Sequence, residues 1–406
     1  MKRRPNITII WFHSHFIYWM GGTKYIYEVI KKLSAHYKIV VVVENSSSLA
    51  ISTYKKIKNV KLVNQEKPTS TSILYWLLLP VNIYGDIVAA KKIVESIQGS
   101  KIYISSMFPM NIVTTFLQGS KIQLCFEPFS FFYDKDFIKR FPIAKYLLIR
   151  LLALIYSPLD IFTVRKQNSV VTLNNTTKRA IEKIYKVNST SIFTGIDLKH
   201  FHYYISKSVA DKYKGKKVIV HSTDYSPVKR TDAMIKIFYK VSQRVKDAYL
   251  VITTTIDDTK EKEKLVNLAR DLNIEHKVEF AGFIDYRLLP QIYSVAHVLV
   301  QCSYSEMSGT TSMALPVKEA LSCGTIAIRY PVQNEDVSDG VNGYLVDPRN
   351  EEKMVKTIIK ILKLDKARLK SMKLAARNSM INRYSWDKTA RALSEIINNN
   401  LENQYD

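Results

Sequence analysis

The chain has 406 residues, of which 60 are Lys or Arg and 36 are Asp or Glu, so its formal net charge is +24 at pH 7. Hydrophobic residues make up 47%, while Gly and Pro number only 12 each, which excludes a disordered basic tail and a fibrous or low-complexity protein. The length suits two or three domains, each able to bury a core without disulfide or metal staples.

The cysteines and the apolar stretches indicate the cellular compartment in which the protein works. Cys125, Cys302 and Cys323 are widely spaced and form no CxxC pair, so we expect no disulfide scaffold or zinc module and a reducing, cytoplasmic setting. The basic start MKRRPNITIIWF resembles a signal peptide, but its short apolar run meets His13, which favours a buried first strand. No stretch reaches the roughly 18–20 apolar residues that span a bilayer. We therefore expect a soluble protein or one that sits on a membrane.

The positive charge implies an anionic partner: nucleic acid, a phosphorylated small molecule or acidic lipid headgroups. A Lys- and Ile-rich compositional habit of the organism is the alternative explanation. The charge is spread along the chain without a basic block or an arginine–aromatic module, so nucleic acid is not expected as a partner.

Apolar runs in the first half predict strands that alternate with helices. The Gly21-Gly22 turn follows the first strand and precedes a helix whose apolar residues recur at helical spacing. The predicted strands are Asn6–Phe12, Lys38–Glu44, Lys101–Ser105, Gln123–Phe126 and Val170–Leu173. Continuous Val/Ile runs separated by helices indicate a parallel sheet that is covered on both faces.

The same alternation restarts in the second half. The predicted elements are the strands Lys217–His221, Ala248–Thr255, Val278–Gly282 and His297–Gln301 and the helices Thr231–Val245, Lys260–Leu272 and Arg287–Ser294. We predict an α/β protein with two Rossmann-like doubly wound domains that face a cleft. The first covers residues 1–195, with a helical tail from 378 to 406 packing back on it, and the second covers residues 205–377.

The segment from Phe137 to Arg165 differs from the rest of the chain because basic residues interrupt a long apolar stretch. Leu147, Leu151 and Ile155 recur at helical spacing, and Lys145 could reach lipid headgroups. One interpretation is an interfacial helix that docks on anionic lipid or a lipid-linked substrate. The other is a buried domain helix with snorkelling cations.

Three loops follow predicted strands and lead into helices, the position at which doubly wound sheets bind ligands. Gly21 and Gly22 let a phosphate approach the backbone N–H groups of the first helix. In the loop STDYSPVKR, Lys229 and Arg230 could neutralise a diphosphate leaving group, although a solvated turn is the alternative.

The third loop leads from a strand into the helix LPVKEALS. Amides and hydroxyls of its Ser/Gly/Thr-rich part could hold an anion, and Glu319 on the helix could bind vicinal ribose hydroxyls. The anion-binding candidates are Ser308, Gly309, Thr310, Thr311 and Ser312.

The order and spacing of several motifs resemble the retaining GT-B glycosyltransferases of family 4. They are the GG turn, TGIDLKHF at Thr194–Phe201, the cationic loop at Lys229, the FAGF motif that begins at Phe280, LPVKEALSCGT, and GVNGYLVDP at Gly340–Pro348. The resemblance covers most of the chain and is more specific in the second half.

This resemblance implies that Glu319 holds the ribose of a nucleotide sugar and that Lys229 binds the donor diphosphate. It places Gly22 beside the phosphate and the acceptor, and it places Leu315 with the donor-binding residues. Members of the family need no metal, so no cofactor is expected. Retention of the anomeric configuration is implied, with the departing phosphate assisting the acceptor.

The sequence also departs from the family pattern. The family has a second glutamate eight residues before the position of Glu319, where this chain has Thr311, although Glu306 begins a Glu-x-x-Gly motif nearby. The arginine usual in the cationic loop is Asp224. Where many relatives have a histidine, this chain offers Glu127, which with Glu306 and Lys229 completes the catalytic candidates. His13 and His15 could contact acceptor or phosphate, but a structural role is favoured.

We therefore predict a hexosyltransferase that uses a UDP- or GDP-linked donor. The predicted acceptor is lipid-linked or another glycan, reached from the cytoplasm at an anionic membrane surface. Two alternatives remain: a catalytically weakened binding or scaffold subunit, and a soluble enzyme that makes a small glycoside.

Overall fold

A computed structural model of the chain describes residues 7–17, 21–68, 73–139, 141–254, 259–304, 314–332 and 335–402. It contains two compact units, one formed by Met1–Gly195 with Trp386–Asp406 and the other by Ile196–Ser385. The sequence places the start of the returning tail at residue 378, but that residue lies inside a helix of the second unit, Lys366–Arg383. The tail that joins the first unit is the helix that begins at Trp386.

The strands of the described residues build one sheet in each unit. They are β1 Ile7–Phe16, β2 Lys38–Ser46, β3 Val60–Asn64, β4 Ser100–Ser106, β5 Ser120–Cys125, β6 Ser169–Thr172 and β7 Thr190–Ser191 in the first unit, and β8 Lys217–Thr223, β9 Ala248–Thr254, β10 Val278–Phe283, β11 Val298–Val300, β12 Ile326–Arg329 and β13 Gly343–Leu345 in the second. Every pairing between them is parallel.

Helices connect these strands. They are α1 Gly21–Leu33, α2 Ser48–Lys55, α3 Ile73–Leu77, α4 Leu79–Glu95, α5 Met110–Thr115, α6 Ser130–Tyr133, α7 Lys135–Ile138, α8 Ile143–Arg165, α9 Asn175–Tyr185, α10 Lys207–Lys212, α11 Thr231–Arg244, α12 Thr259–Asp271, α13 Leu289–Val295, α14 Leu315–Ser322, α15 Glu351–Leu362, α16 Lys366–Arg383 and α17 Trp386–Glu402. The predicted α/β architecture with two doubly wound sheets is confirmed.

Strand order fixes where ligands can bind in each sheet. The first sheet has the order β3-β2-β1-β4-β5-β6-β7 and the second β10-β9-β8-β11-β12-β13. The order reverses beside β1 in the first sheet and beside β8 in the second. Loops at the carboxyl ends of the strands diverge at such a switch point and leave a crevice. In the second unit this crevice lies at the ends of β8 and β11.

One face of the first sheet is covered by α3, α4, α5 and α8, whose inner residues share a single apolar core. That core includes Phe12 and Tyr103 from the strands, Tyr75 and Ile83 from α3 and α4, and Tyr156 from α8. The short helix α5 packs against both α4 and α8. These helices therefore lie side by side on the same face of the sheet.

Helix α8 overturns one expectation from the sequence. Its 23 residues contain an 18-residue window with at most two charged side chains, so by length and composition this helix could cross a bilayer. The prediction that no segment is long and apolar enough is wrong, because widely spaced basic residues interrupt the run without lowering its overall hydropathy enough. Only 28% of that window is buried in the protein, which does not agree with a simple core helix.

A buried polar cluster fastens α3 and α4 to the carboxyl end of β2. The Tyr75 hydroxyl donates a 2.6 Å hydrogen bond to Oε1 of Glu44, and Nζ of Lys67 lies 2.5 Å from Oδ1 of Asp86. Glu44 and Asp86 are each only 2% exposed. Burial, together with the nearby Asp86 carboxylate, raises the pKa of Glu44 to about 8, so Glu44 carries a proton in the folded state near neutral pH.

The Glu44→Gln variant should gain stability relative to wild type as pH rises. A carboxyl group whose folded pKa is raised contributes most below its unfolded pKa of about 4.3, and this contribution is lost as pH rises towards 8. Glutamine keeps the acceptor for Tyr75 but does not ionise. Tryptophan fluorescence during urea unfolding measures this, because all four tryptophans belong to the first unit. If the free energy of unfolding changed with pH in the same way for wild type and variant from pH 5 to pH 8.5, the raised pKa of Glu44 would be contradicted. The control is Glu95→Gln, at an exposed glutamate.

Candidate functional site

The cationic loop of the second unit follows β8 directly. Pro227–Lys229 form one turn of 3-10 helix, and Tyr225 and Arg230 adopt left-handed backbone conformations with φ of 58° and 53°. Such values are uncommon for residues other than glycine and cost some conformational energy. Nζ of Lys229 lies 4.0 Å from Oδ2 of Asp224, and the Lys229 side chain is 25% exposed. The loop therefore holds a lysine that is partly shielded from solvent at the end of a strand.

A chain of hydrogen bonds fixes the base of this loop. His221 bonds through Nδ1 to the carbonyl oxygen of Val300 at 2.9 Å and through Nε2 to the hydroxyl of Thr231 at 3.2 Å. Because a carbonyl only accepts, Nδ1 carries the proton and Nε2 accepts from Thr231. Thr223 then donates to the Thr231 hydroxyl at 2.8 Å and accepts from the Tyr225 backbone N–H at 2.9 Å. Burial lowers the pKa of His221 to about 4, so this network is neutral at pH 7.

This chain of hydrogen bonds was not expected from the sequence. His221 ends a Val/Ile strand and Thr231 begins the next helix, and a polar residue at the end of a buried strand is the signal that could have identified it. The network joins β8, β11 and α11, the three elements that border the switch point.

Arginine and tyrosine side chains gather at the carboxyl ends of several strands in the same sheet. The guanidinium carbons of Arg230 and Arg349 lie 5.4 Å and 4.9 Å from the centre of the Tyr304 ring. Arg349 also forms a bidentate pair with Asp347, and the hydrogen bonds from Arg349 hold the pKa of Asp347 below its usual value. The sequence predicted Arg230 at this edge but neither Tyr304 nor Arg349.

Glu319 lies on α14, between β11 and β12. It is 5% exposed, and the hydroxyl of the fully buried Tyr293 lies 3.5 Å from its Oε2. Tyr293 lies on α13, and this helix packs against β8. Tyr293 thus lies between Glu319 and the strand that carries the cationic loop. Glu319, Lys229 and Arg230 all border the β8–β11 switch point.

Other predicted donor residues divide between described and undescribed parts of the second unit. Leu315 is the first residue of α14 and is 7% exposed, with Pro316 in the first turn. The anion-binding candidates and the catalytic candidate of the third loop fall outside the described residues, so their assignments stay predictions. They are Glu306, Ser308, Gly309, Thr310, Thr311 and Ser312.

The remaining candidates belong to the first unit. Gly21 and Gly22 are the first two residues of α1. Glu127 follows β5, and its Oε1 accepts a 3.0 Å hydrogen bond from the Ser130 hydroxyl. His13 stacks on Phe16 with ring centroids 5.0 Å apart, and burial lowers its pKa to about 3. The neutral, stacked imidazole agrees with the structural role that the sequence favours.

A buried charged trio lies next to Glu319. Lys318, Arg329 and Asp336 are all under 7% exposed, and the Asp336 carboxylate forms ion pairs with both cations, at 3.3 Å from Nζ of Lys318. Burial opposes ionisation of Asp336, but the two cations hold the pKa of its carboxyl below the usual value. The trio connects α14, β12 and the segment before β13.

Within the described ranges, no three His, Cys, Asp or Glu side chains converge closely enough to hold a metal ion.

The family model for glycosyl transferases group 1 matches residues 205–379. A D-inositol 3-phosphate glycosyltransferase from Mycolicibacterium vanbaalenii is 32% identical over 133 residues, which are 32% of this chain and 28% of that protein. Matches of this kind cover between 28% and 47% of the curated relatives, so the chain spans less than half of their length in sequence.

Solved structures match over nearly the whole chain. A sucrose-phosphate synthase from Thermosynechococcus elongatus gives a TM-score of 0.74 at 15% identity and covers 98% of this chain and 99% of its own. HepE from Anabaena, solved in complex with UDP and glucose, gives a TM-score of 0.70 at 15% identity. The match covers 97% of this chain and 99% of HepE. At these identities the likeness shows the fold, which is that of the two-domain GT-B glycosyltransferases.

Proposed function

We propose that this chain moves a hexosyl group from a nucleotide sugar to an acceptor with retention. It has the GT-B fold, and its residues 205–379 match the family model for glycosyl transferases group 1. The observation that carries the proposal is the placement of Glu319 and the Lys229 loop around one switch point, where Tyr293 on α13 lies between Glu319 and β8. A nucleoside diphosphate needs an acceptor group for its ribose hydroxyls and cations for its phosphates in the same crevice.

Each residue has a defined task in the proposed site. The Glu319 carboxylate accepts hydrogen bonds from the two ribose hydroxyls, which are good donors to an ionised acid. Lys229 and Arg230 supply two positive charges for the diphosphate, whose charge grows as the bond to the sugar breaks. With this charge supplied by side chains, we expect transfer to need no divalent metal and to persist in EDTA. Glu306 and Glu127 remain catalytic candidates for the sugar and acceptor side.

The donor is proposed to be UDP-linked, with GDP as the alternative base. Support comes from HepE of Anabaena, a chain of the same fold that was solved in complex with UDP and glucose. The acceptor is proposed to be lipid-linked or otherwise membrane-associated and to be reached from the cytoplasm. The net charge of +24 and the basic, apolar α8 support an encounter with an anionic surface.

Binding of UDP should depend on Glu319. We expect Glu319→Ala to weaken UDP binding about 10- to 100-fold, since a buried hydrogen bond to a charged acceptor contributes about 1.5–3 kcal/mol. Isothermal titration calorimetry with UDP measures this. Glu279→Ala, at a carboxylate of the same unit that pairs with Lys212, is the control and should bind UDP as wild type does. Equal affinity for UDP in wild type, Glu319→Ala and Glu279→Ala would show that Glu319 does not bind the nucleotide.

The activity itself is tested with a panel of nucleotide sugars and two acceptor forms, one soluble and one carried on a polyprenyl phosphate. We expect transfer from a UDP-sugar, preference for the lipid-linked acceptor, activity in EDTA and a product with the donor's anomeric configuration by NMR. Binding of UDP with neither transfer nor donor hydrolysis across the panel would contradict the enzyme proposal and favour a scaffold subunit.

A further inference from the structure

The outward side of α8 is a continuous apolar stripe. Six large apolar side chains are between 51% and 71% exposed, and they fall at helical spacing along a helix of about 35 Å, with a gap of seven residues before the last of them. They are Ile143, Leu147, Leu151, Leu154, Ile155 and Phe162. The opposite side of the helix is buried at Ile149, Ala153, Tyr156, Asp160 and Thr163. The helix therefore has apolar residues on both sides, and two of its polar side chains, Asp160 and Thr163, lie on the buried side.

A second stripe of the same kind runs along α3 and α4. Its members recur at helical spacing and are between 37% and 70% exposed, and they are Leu74, Leu77, Leu78, Val81, Tyr84 and Val88. The inner side of this helix pair is buried through Tyr75, Leu79, Ile83 and the Asp86 ion pair. This second stripe was not expected from the sequence.

The two stripes lie on one side of the first unit. Helices α4 and α8 flank α5 on the same face of the sheet and share one core with it, so their outward sides point away from that face together. Among the described residues of the first unit, 12 of the 14 large apolar side chains that are exposed belong to these stripes. Such a concentration marks an interaction surface rather than scattered surface residues.

The charges beside the stripes select an anionic partner. Within α3, α4 and α8 both aspartates are buried, which leaves Glu95 as the acidic residue at the surface. The basic residues that reach the surface are Lys91, Lys92, Lys145, Arg150 and Arg165. At the two ends of α8, ammonium groups lie over aromatic rings, Lys145 at 4.3 Å from Phe141 and Lys166 at 5.5 Å from Phe162. Apolar residues bordered by cations fit the interface of a bilayer with acidic headgroups.

We propose that the outward stripes of α3–α4 and α8 form one docking surface for an anionic bilayer, on which α8 lies in the plane of the membrane and does not cross it. Asp160 decides the orientation, because its carboxylate accepts hydrogen bonds from Asn111, Tyr133 and Tyr185 at 2.8–3.0 Å. A spanning helix would leave these partners and carry the carboxylate into hydrocarbon. The inference deepens the proposed function and rests on it for its purpose, which is to bring a lipid-linked acceptor to the enzyme.

Vesicle flotation tests the surface. The full-length chain should float with phosphatidylcholine–phosphatidylglycerol vesicles, and the flotation should fall about tenfold on pure phosphatidylcholine. Leu147→Glu with Leu151→Glu should cause a loss of similar size, and so should Val81→Glu with Leu78→Glu. The control is Leu374→Glu with Ile381→Glu, which changes two exposed apolar residues on α16 of the second unit and should float as wild type does.

UDP titration of every variant separates this inference from the proposed function, since binding of UDP shows that the second unit is folded whatever the vesicles do. No flotation of wild type would overturn the proposal. Loss of flotation in the α8 variant alone would overturn the assignment of α3 and α4 to the surface. A dimer in solution that the stripe variants dissociate would assign the surface to a second copy of the chain instead.

Depth measurements test the orientation of α8. The three native cysteines are buried, so each of the variants Ile143→Cys, Leu151→Cys and Phe162→Cys can be labelled at its new exposed thiol with an environment-sensitive dye. Similar shallow insertion at all three positions is the expected result. A steady change of depth from one end of the helix to the other would show that it crosses the bilayer.

Discussion

Replacing Lys229 by alanine should lower kcat/KM for sugar transfer by about 10²- to 10³-fold, the usual effect of removing one group that stabilises developing negative charge. Lys229 is held on a loop that the His221–Thr231–Thr223 hydrogen bonds fix, so its charge is oriented before the donor binds. The loss should be larger in kcat than in KM because the diphosphate gains negative charge as the glycosidic bond breaks. Initial rates at several UDP-sugar concentrations measure both constants.

The matched control is Lys240→Ala. Lys240 is an exposed lysine of the following helix, paired with Glu351 at 2.9 Å, and its loss should leave both constants unchanged. A rise in KM with unchanged kcat would mean that Lys229 binds the ground state and the transition state equally. Unchanged kinetics in Lys229→Ala would exclude it from the active site altogether.

Replacing Asp336 by alanine should lower the free energy of unfolding of the second unit by about 3–5 kcal/mol, because it leaves two buried cations without their shared counter-ion. Lys318 and Arg329 are 6% and 1% exposed, so solvent cannot replace the carboxylate without opening the fold. Since Lys318 precedes Glu319 on α14, the variant should also weaken UDP binding. Chemical unfolding followed by circular dichroism measures the stability, and calorimetry measures the binding.

The control is Asp285→Ala, because Asp285 pairs with Arg287 at the surface. Removing a surface ion pair should leave the free energy of unfolding unchanged. Asp336→Asn keeps the size of the side chain and removes its charge. If Asp336→Asn were as stable as wild type, the trio would be held by packing and hydrogen bonding instead of by charge compensation.

Much of the donor half of the candidate site could be predicted from the sequence. A Val/Ile run followed by a turn places Lys229 and Arg230 at the end of a parallel strand, and parallel strands bring their carboxyl ends to one edge. The same alternation places Glu319 on a helix that follows a later strand, β11, while the family resemblance supplied its expected role. The positions of these residues at strand ends need only local periodicity, and their roles come from the resemblance to the glycosyltransferases.

Other parts of the site could not be predicted, because they depend on contacts between residues far apart in sequence. Tyr304 meets both Arg230 and Arg349 only once β11 and β13 lie in the same sheet as β8. The fixed tautomer of His221 depends on the carbonyl of Val300, a residue 79 positions away. Side-chain chemistry at a single position does not specify such partners.

The sequence by itself determined the two doubly wound sheets and the strand ends at which the charged loops emerge, because these follow from the periods of the apolar residues. It also determined a net charge of +24. Only the tertiary structure decided which side of α8 faces outward. Its apolar stripe would be expected to face a core, but the buried side carries Ala153 and Tyr156 together with Asp160 and Thr163, whose hydrogen bonds to Asn111 are made inside the first unit. A buried polar group is stable only where its partners are, and this requirement turns the leucines of α8 outward.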